Sequence, residues 1–209
     1  MKRTLIALIC GAGIILAFAA PASADPITLS FNPVNQSVNP GSPLFVALTI
    51  SGLGAFTSPS LGVYDLDVLF DPSILSLTNV TFGDPVLGSQ LDLFGLGNIA
   101  QATSGTGFVN LFELSFDLPT DLDSLQPDSF ILAILHFNAL GSGTSPLTIN
   151  VNAIGDSLGT PLAAQVQQGS VTVVPEPGTV ALFSAGLAAS GVVRRRRGAN
   201  AGTGERKCG

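Results

Sequence analysis

Short stretches of alternating apolar and polar residues, each stopped by Gly, Pro, Asn or Ser, fill the middle of this chain. Ile27–Phe31 alternates until Asn32-Pro33 stops it, and Leu44–Ile50 runs into Ser51-Gly52. Tyr64–Phe70 places Tyr64, Leu66, Val68 and Phe70 on one face and Asp65 and Asp67 on the other. Asp71-Pro72 then ends it with turn chemistry. Leu75–Phe82, Gly107–Phe116, Phe130–Phe137, Leu147–Ala153 and Gly169–Val174 follow. Alternation with period two marks a half-buried strand, because successive side chains point to opposite faces. Eight or so such strands, with almost no helical periodicity, predict an all-β sandwich of antiparallel sheets. Phe130–Phe137 is apolar on both faces, which predicts a central strand. Only Leu118–Leu125 reads as a brief helix, with Asp121 as its cap.

The two ends break this pattern. Lys2 and Arg3 precede an apolar stretch from Leu5 to Ala20, followed by Pro21 and the small-residue site Ala22-Ser23-Ala24. A basic start, an apolar stretch and an A-x-A site define a secretory signal peptide over residues 1–24, cut by signal peptidase after Ala24. Ile9 before Cys10 is too bulky for a lipoprotein site. At the other end, Pro175-Glu176-Pro177-Gly178-Thr179 leads into an apolar run, Val180–Val193, and then Arg194, Arg195, Arg196 and Arg197. Those fourteen residues span about 21 Å as a helix, just short of a stable membrane crossing. The arginines hold the cytoplasmic side, so the run is expected to be a transient transmembrane anchor. Residues 198–209 are then a cytoplasmic tail.

Charge separates the same three parts. All eight Lys and Arg lie in the two ends, and none occurs between Asp25 and Val174. That middle holds twelve Asp and Glu. Nucleic-acid binding is excluded, since neutralising phosphates needs Lys or Arg. Disorder is excluded by an apolar content of 46%, too high for a chain that fails to form a core. No phosphate-cradling glycine motif occurs. Cys10 and Cys208 are the only cysteines, so the exported middle is held by a core and not by disulfides.

Little in the middle reads as catalytic chemistry. His136, the sole histidine, sits in the most apolar strand, which predicts a packed, hydrogen-bonded residue rather than a general base. One His and no cysteine in the middle exclude ordinary zinc and copper sites. Asp65 and Asp67 share a strand face at about 7 Å, near an inverting-glycosidase spacing. The chain has no Trp and one Tyr, Tyr64, on the buried face, so the pair reads as a solvated strand face. Asp117, Asp121, Asp123 and Asp128 cluster within twelve residues. Calcium takes carboxylate oxygens from loops, so these four are the metal candidates, with a merely solvated acidic loop as the alternative. Asn35-Gln-Ser37 and Asn79-Val-Thr81 fit N-x-[ST] by chance.

Two resemblances add to this reading. Val174-Pro-Glu-Pro-Gly-Thr179, the short apolar run and the arginine cluster resemble a PEP-CTERM sorting signal over residues 175–197. That resemblance implies an exosortase of a Gram-negative bacterium as processing partner, with Pro175, Glu176 and Pro177 as the recognised motif. It implies release or transfer from the inner membrane to the cell surface or exopolysaccharide matrix. The tail after the arginines is longer than usual for such signals. Over residues 25–174, Leu29-Ser-Phe-Asn-Pro33, Leu44–Ile50 and above all Phe70-Asp-Pro-Ser-Ile-Leu75 are similar to a cohesin domain. That likeness implies a jelly-roll sandwich of about nine strands, related to carbohydrate-binding modules and docking a partner through one sheet face. The expected function is a non-enzymatic protein- or glycan-interaction module of a biofilm matrix. The alternative is a carbohydrate-binding module of polysaccharide catabolism.

Overall fold

A computed structural model describes residues 26–175, so the signal peptide with Ala22 and Ala24, and Glu176, Pro177 and Arg194–Arg197, lie outside the described residues. Eleven strands and one helix follow in order: β1 Thr28–Asn32, β2 Asn35–Val38, β3 Pro43–Ser51, β4 Leu61–Leu69, β5 Leu75–Phe82, β6 Asn98–Gly105, β7 Phe108–Ser115, α1 Pro119–Leu125, β8 Phe130–Ala139, β9 Gly143–Asp156, β10 Gln165–Gln167 and β11 Gly169–Val173. They form a sheet of five, ordered β10-β1-β3-β8-β5, facing a sheet of six, ordered β2-β11-β9-β4-β7-β6.

The alternation read from the sequence explains the layering. Leu29 and Phe31 of β1, Val46, Leu48 and Ile50 of β3, and Leu135 and Phe137 of β8 point inward from the first sheet. Tyr64, Leu66 and Val68 of β4, Val109 and Leu111 of β7, and Leu147 and Ile149 of β9 meet them from the second. Truncating Leu66 or Leu135, both fully buried, to alanine costs about 2–5 kcal/mol through lost transfer energy and the cavity left behind. The Asp71-Pro72 turn closes as its chemistry demands. The Asp71 carboxylate accepts from the Ser73 amide and hydroxyl, and the Ile74 and Leu75 amides donate to its carbonyl.

Three strands were not marked by alternation. β2 and β10 are four and three residues long, too short to show a period. β6, Asn-Ile-Ala-Gln-Ala-Thr-Ser-Gly, is almost wholly exposed and carries no apolar stripe. Most pairings are antiparallel, but β1–β10 and β2–β11 are parallel. The segments Asn32–Asn35 and Gln167–Gly169 cross from one sheet to the other, and they cross side by side. The helix forms one residue into the expected span, but Asp121 is not its cap. Leu118 occupies the cap position without a side-chain bond, Pro119 starts the helix, and Asp121 lies in the first turn. Pro119 needs no helical N–H partner, which makes it a sound first residue. β8 lies between β3 and β5 as the apolar run predicted.

Candidate interaction surfaces

On the outer face of the six-stranded sheet, β4 sits between β7 and β9. Its outward residues Asp65 and Asp67 are cross-strand neighbours of Phe112 and Asn110. The Asn110 amide donates to both carboxylates, at 2.6 Å to Asp65 and 2.9 Å to Asp67. Asn152, at a bulge of β9, donates to Asp65 at 3.2 Å. Thus the two carboxylates share the N–H donors of one side-chain amide. Apolar side chains flank the cluster. Leu69 and Phe108 stand exposed at one end of the face, and Ile99 at the other.

A second polar group lies inside. Glu113 of β7 follows Val109 and Leu111 on the inward face and is fully buried. Its carboxylate accepts from the Tyr64 hydroxyl at 2.7 Å, the Ser89 hydroxyl at 2.6 Å and the Asn98 amide. Burial pushes its pKa above the ordinary glutamate range, against the pull of those three donors, and the nearby Asp92 charge adds to the rise. Burial likewise raises the Tyr64 hydroxyl well above its usual value, with the Glu113 charge contributing. Every oxygen of this pair is occupied, so the group stitches β4, β7 and the β5–β6 crossover together. Sequence reading placed Tyr64 on the buried face but passed over Glu113. Counting every second residue from Val109 finds it.

The four acidic residues offered for calcium differ in their surroundings. Asp117 is nearly buried, with one oxygen accepting from the Leu93 amide and the other unpartnered. Asp123 accepts from the Ser60 and Ser157 hydroxyls, pinning α1 to two loops. Asp121 lies in the first helical turn, and Asp128 is exposed with its carbonyl bonded to the Leu53 amide. Among the described residues, no three His, Cys, Asp or Glu side chains converge on one point. His136 lies on the outer face of the five-stranded sheet, 3.3 Å from the Thr81 hydroxyl and edge-on to the Phe45 ring.

Across one end of the five-stranded sheet runs a groove of about 760 Å³. Its floor includes Phe130 and Ile131, and Phe56, Leu87 and Leu125 wall it. Phe56 is 64% exposed and adopts a positive φ of 57°, a conformation that strains any residue with a side chain. Its amide donates to the Gln126 carbonyl at 3.1 Å, which holds it there. Asn32, Ser51, Gln90 and Ser129 add neutral polar groups to the lining, and Asp84 adds a carboxylate. Nothing in the sequence pattern points to this groove, because three loops far apart in the chain build it.

Comparison with known proteins fits this geometry. The model of the PEP-CTERM protein-sorting motif matches residues 173–197. The sandwich has the cohesin fold. The sixth cohesin of scaffoldin B from Acetivibrio cellulolyticus, solved in complex with a Cel5 dockerin, superposes with a TM-score of 0.57 at 23% identity, covering 71% of this chain and 99% of that one. A cohesin from Clostridium acetobutylicum gives 0.55 at 22% identity, covering 73% and 93%. A non-cellulosomal cohesin from Archaeoglobus fulgidus gives 0.54 at 13%, covering 74% and 95%. None of the curated proteins matches the chain. The chain therefore joins a cohesin-fold domain to a PEP-CTERM sorting motif.

Proposed function

We propose that this protein is an exported, non-enzymatic interaction module, sorted by an exosortase to the surface or exopolysaccharide matrix of a Gram-negative bacterium. It engages a protein partner, of the kind cohesins meet in dockerins, through the outer face of the six-stranded sheet. The carrying observation is the Asp65–Asn110–Asp67 cluster, fixed by hydrogen bonds and flanked by exposed apolar side chains. A pre-ordered polar centre beside apolar contacts supplies specificity at little entropic cost on binding. With no Lys or Arg between Asp25 and Val174, the face suits a partner that brings its own cations.

Fractionation and intact-mass analysis in the native host, with and without its exosortase, test the sorting. The expected product begins at Asp25 and ends near Pro175–Thr179. A surface product that retains Arg194–Arg197 overturns it. For the face, surface cross-linking followed by mass spectrometry is compared between wild type and an Asp65→Ala/Asn110→Ala pair. Loss of one specific cross-linked protein, with the melting temperature unchanged, is expected.

The groove beside Phe56 favours a second reading, a glycan-binding module. Two phenyl rings, Phe56 and Phe130, stand with neutral amide and hydroxyl groups in a volume suited to a short oligosaccharide. A glycan array of the full chain beside its Phe56→Ala variant separates the two readings. A hit that Phe56→Ala abolishes selects the glycan module, and a blank array removes it.

A further inference from the structure

Four turns meet where the chain leaves the sandwich. They are residues 39–42 between β2 and β3, 70–74 between β4 and β5, 106–107 between β6 and β7, and 140–142 between β8 and β9. Hydrogen bonds join them into one rim. The Gly41 amide donates to the Ala139 carbonyl, the Leu140 amide to that of Ile74, and the Phe70 amide to that of Gly107. The turns are closely packed, since a Cβ on Gly141 would lie 2.8 Å from the Ser73 carbonyl oxygen. The last described strand ends at the same rim. Val173 pairs with Val38 and Gly143, and the Val174 amide donates to the Val38 carbonyl.

Charge is divided unequally between this rim and the other end. Among the residues of the four turns, Asp71 alone is charged, and the Ser73 amide and hydroxyl engage its carboxylate. The loops at the opposite end hold Asp84, Asp92, Asp117, Asp121, Asp123 and Asp128. The rim is apolar instead. Leu140 is 54% and Val174 46% exposed, and Pro40 and Pro72 are exposed as well.

The chain beyond Val174 says what meets this rim. Five residues, 175–179, separate Val174 from the apolar run at 180–193. Fully extended, that segment reaches about 20 Å, and the headgroup layer itself takes up about 5–8 Å of it. The rim is therefore held within about 15 Å of the headgroups, and closer for any path short of full extension. The run is short for a stable crossing, so apolar contacts at the headgroup level add affinity that it lacks. Tipping the far end, or the Asp65–Asp67 face, toward lipid would instead bring carboxylates against anionic headgroups.

We propose that this rim is a membrane-docking surface. While the sorting segment is intact, the four turns rest on the headgroup layer of the bilayer that holds residues 180–193. Leu140 and Val174 meet the lipid interface, and the acidic loops point away from it. Docking would hold Pro175, Glu176 and Pro177 at the membrane surface for processing. This inference rests on the sorting reading given above.

The test uses the full chain, purified from the native host lacking its exosortase and reconstituted into vesicles of phosphatidylethanolamine and phosphatidylglycerol. In a Cys10→Ser/Cys208→Ser background, Ser142→Cys on the rim and Leu87→Cys at the far end, both exposed positions, are each labelled with a fluorophore. A lipid spin-labelled at its headgroup quenches whatever lies at the interface. Quenching at position 142 is expected to exceed that at position 87 at least fivefold. Leu140→Asp, with the melting temperature unchanged, should lower it at least twofold. Equal quenching at the two positions in a membrane-bound chain overturns docking and leaves the sorting reading intact. Quenching at position 142 that Leu140→Asp leaves unchanged overturns it too. A chain that does not enter the vesicles at all overturns both readings. Protection of position 142 that appears only when exosortase is added replaces lipid with the protease and equally overturns the proposal.

Discussion

At Glu113 a buried carboxylate makes the domain less stable as pH rises. A buried charge without a cation is costly unless hydrogen bonds satisfy it, and here Tyr64, Ser89 and Asn98 do so. Tyr64→Phe removes one donor and leaves the carboxylate short, at a cost of about 1–3 kcal/mol, measurable by urea unfolding. Because folding raises the Glu113 pKa, the native state binds the proton more tightly than the unfolded chain. Its contribution is whole below the ordinary glutamate value, about 4.3, and is lost as pH rises through the folded value. Asp71 and Asp84 act in the opposite sense. Hydrogen bonds from Ser73, and from the Leu87 and Val86 amides, hold their carboxyls below the usual range, so their contribution is lost as pH falls. The melting temperature should therefore peak in mildly acidic solution and decline toward neutrality. Glu113→Gln should flatten that decline even in high salt, which screens the surface carboxylates but not a buried one. A decline unchanged by Glu113→Gln would remove Glu113 as its source.

The crossover from β5 to β6 is the element on which both sheets depend. It leaves β5 at Gly83, whose φ is +73° and where a Cβ would sit 2.6 Å from the Ser89 backbone. Only glycine fits both the conformation and the approach. Gly83→Ala should cost more than about 1 kcal/mol, and it should speed exchange of the Leu91 amide, which donates to the Ser89 hydroxyl. A second tie lies at the end of α1. The buried Gln126 side chain donates to the Leu61 and Gln90 carbonyls and accepts from the Leu61 amide. Gln126→Ala orphans three buried backbone groups, so a loss of roughly 2–4 kcal/mol is expected in chemical denaturation. Alternation in the sequence marks β4 and β5, but neither β6 nor the ties that Gln126 and Gly83 make. Alternation is a local signal, whereas Gln126 meets partners 65 residues away.

Across the whole molecule, the first described strand begins and the last one ends at opposite ends of the sandwich. Thr28 pairs with Ser51 at one end of β3. At the other end the Val174 amide donates to Val38, just before the turn into Pro43. The match to the sorting motif begins at residue 173, within β11, so the matched segment starts at the last ladder pairing. The groove and the Phe56 loop therefore lie at the end away from Val174. The acidic middle also sets how any partner is met. Binding to a cationic partner should weaken as salt rises, by screening, and a binding assay from low to high ionic strength should show that slope.

The sequence alone determined what depends on near neighbours and on composition: the strand segments, the Asp71-Pro72 turn, the buried face of Tyr64 and the segregation of all basic residues to the ends. Each is local, since a strand's faces follow from period two and a sorting signal is read as a linear segment. Only the tertiary structure decided which strands lie at edges, that Glu113 is satisfied and not merely inward, which partners Asp117 and Asp123 take, and that six strands face five. Those depend on how segments distant in the chain meet when two sheets of unequal width close over a common core, and no window of sequence contains that distance.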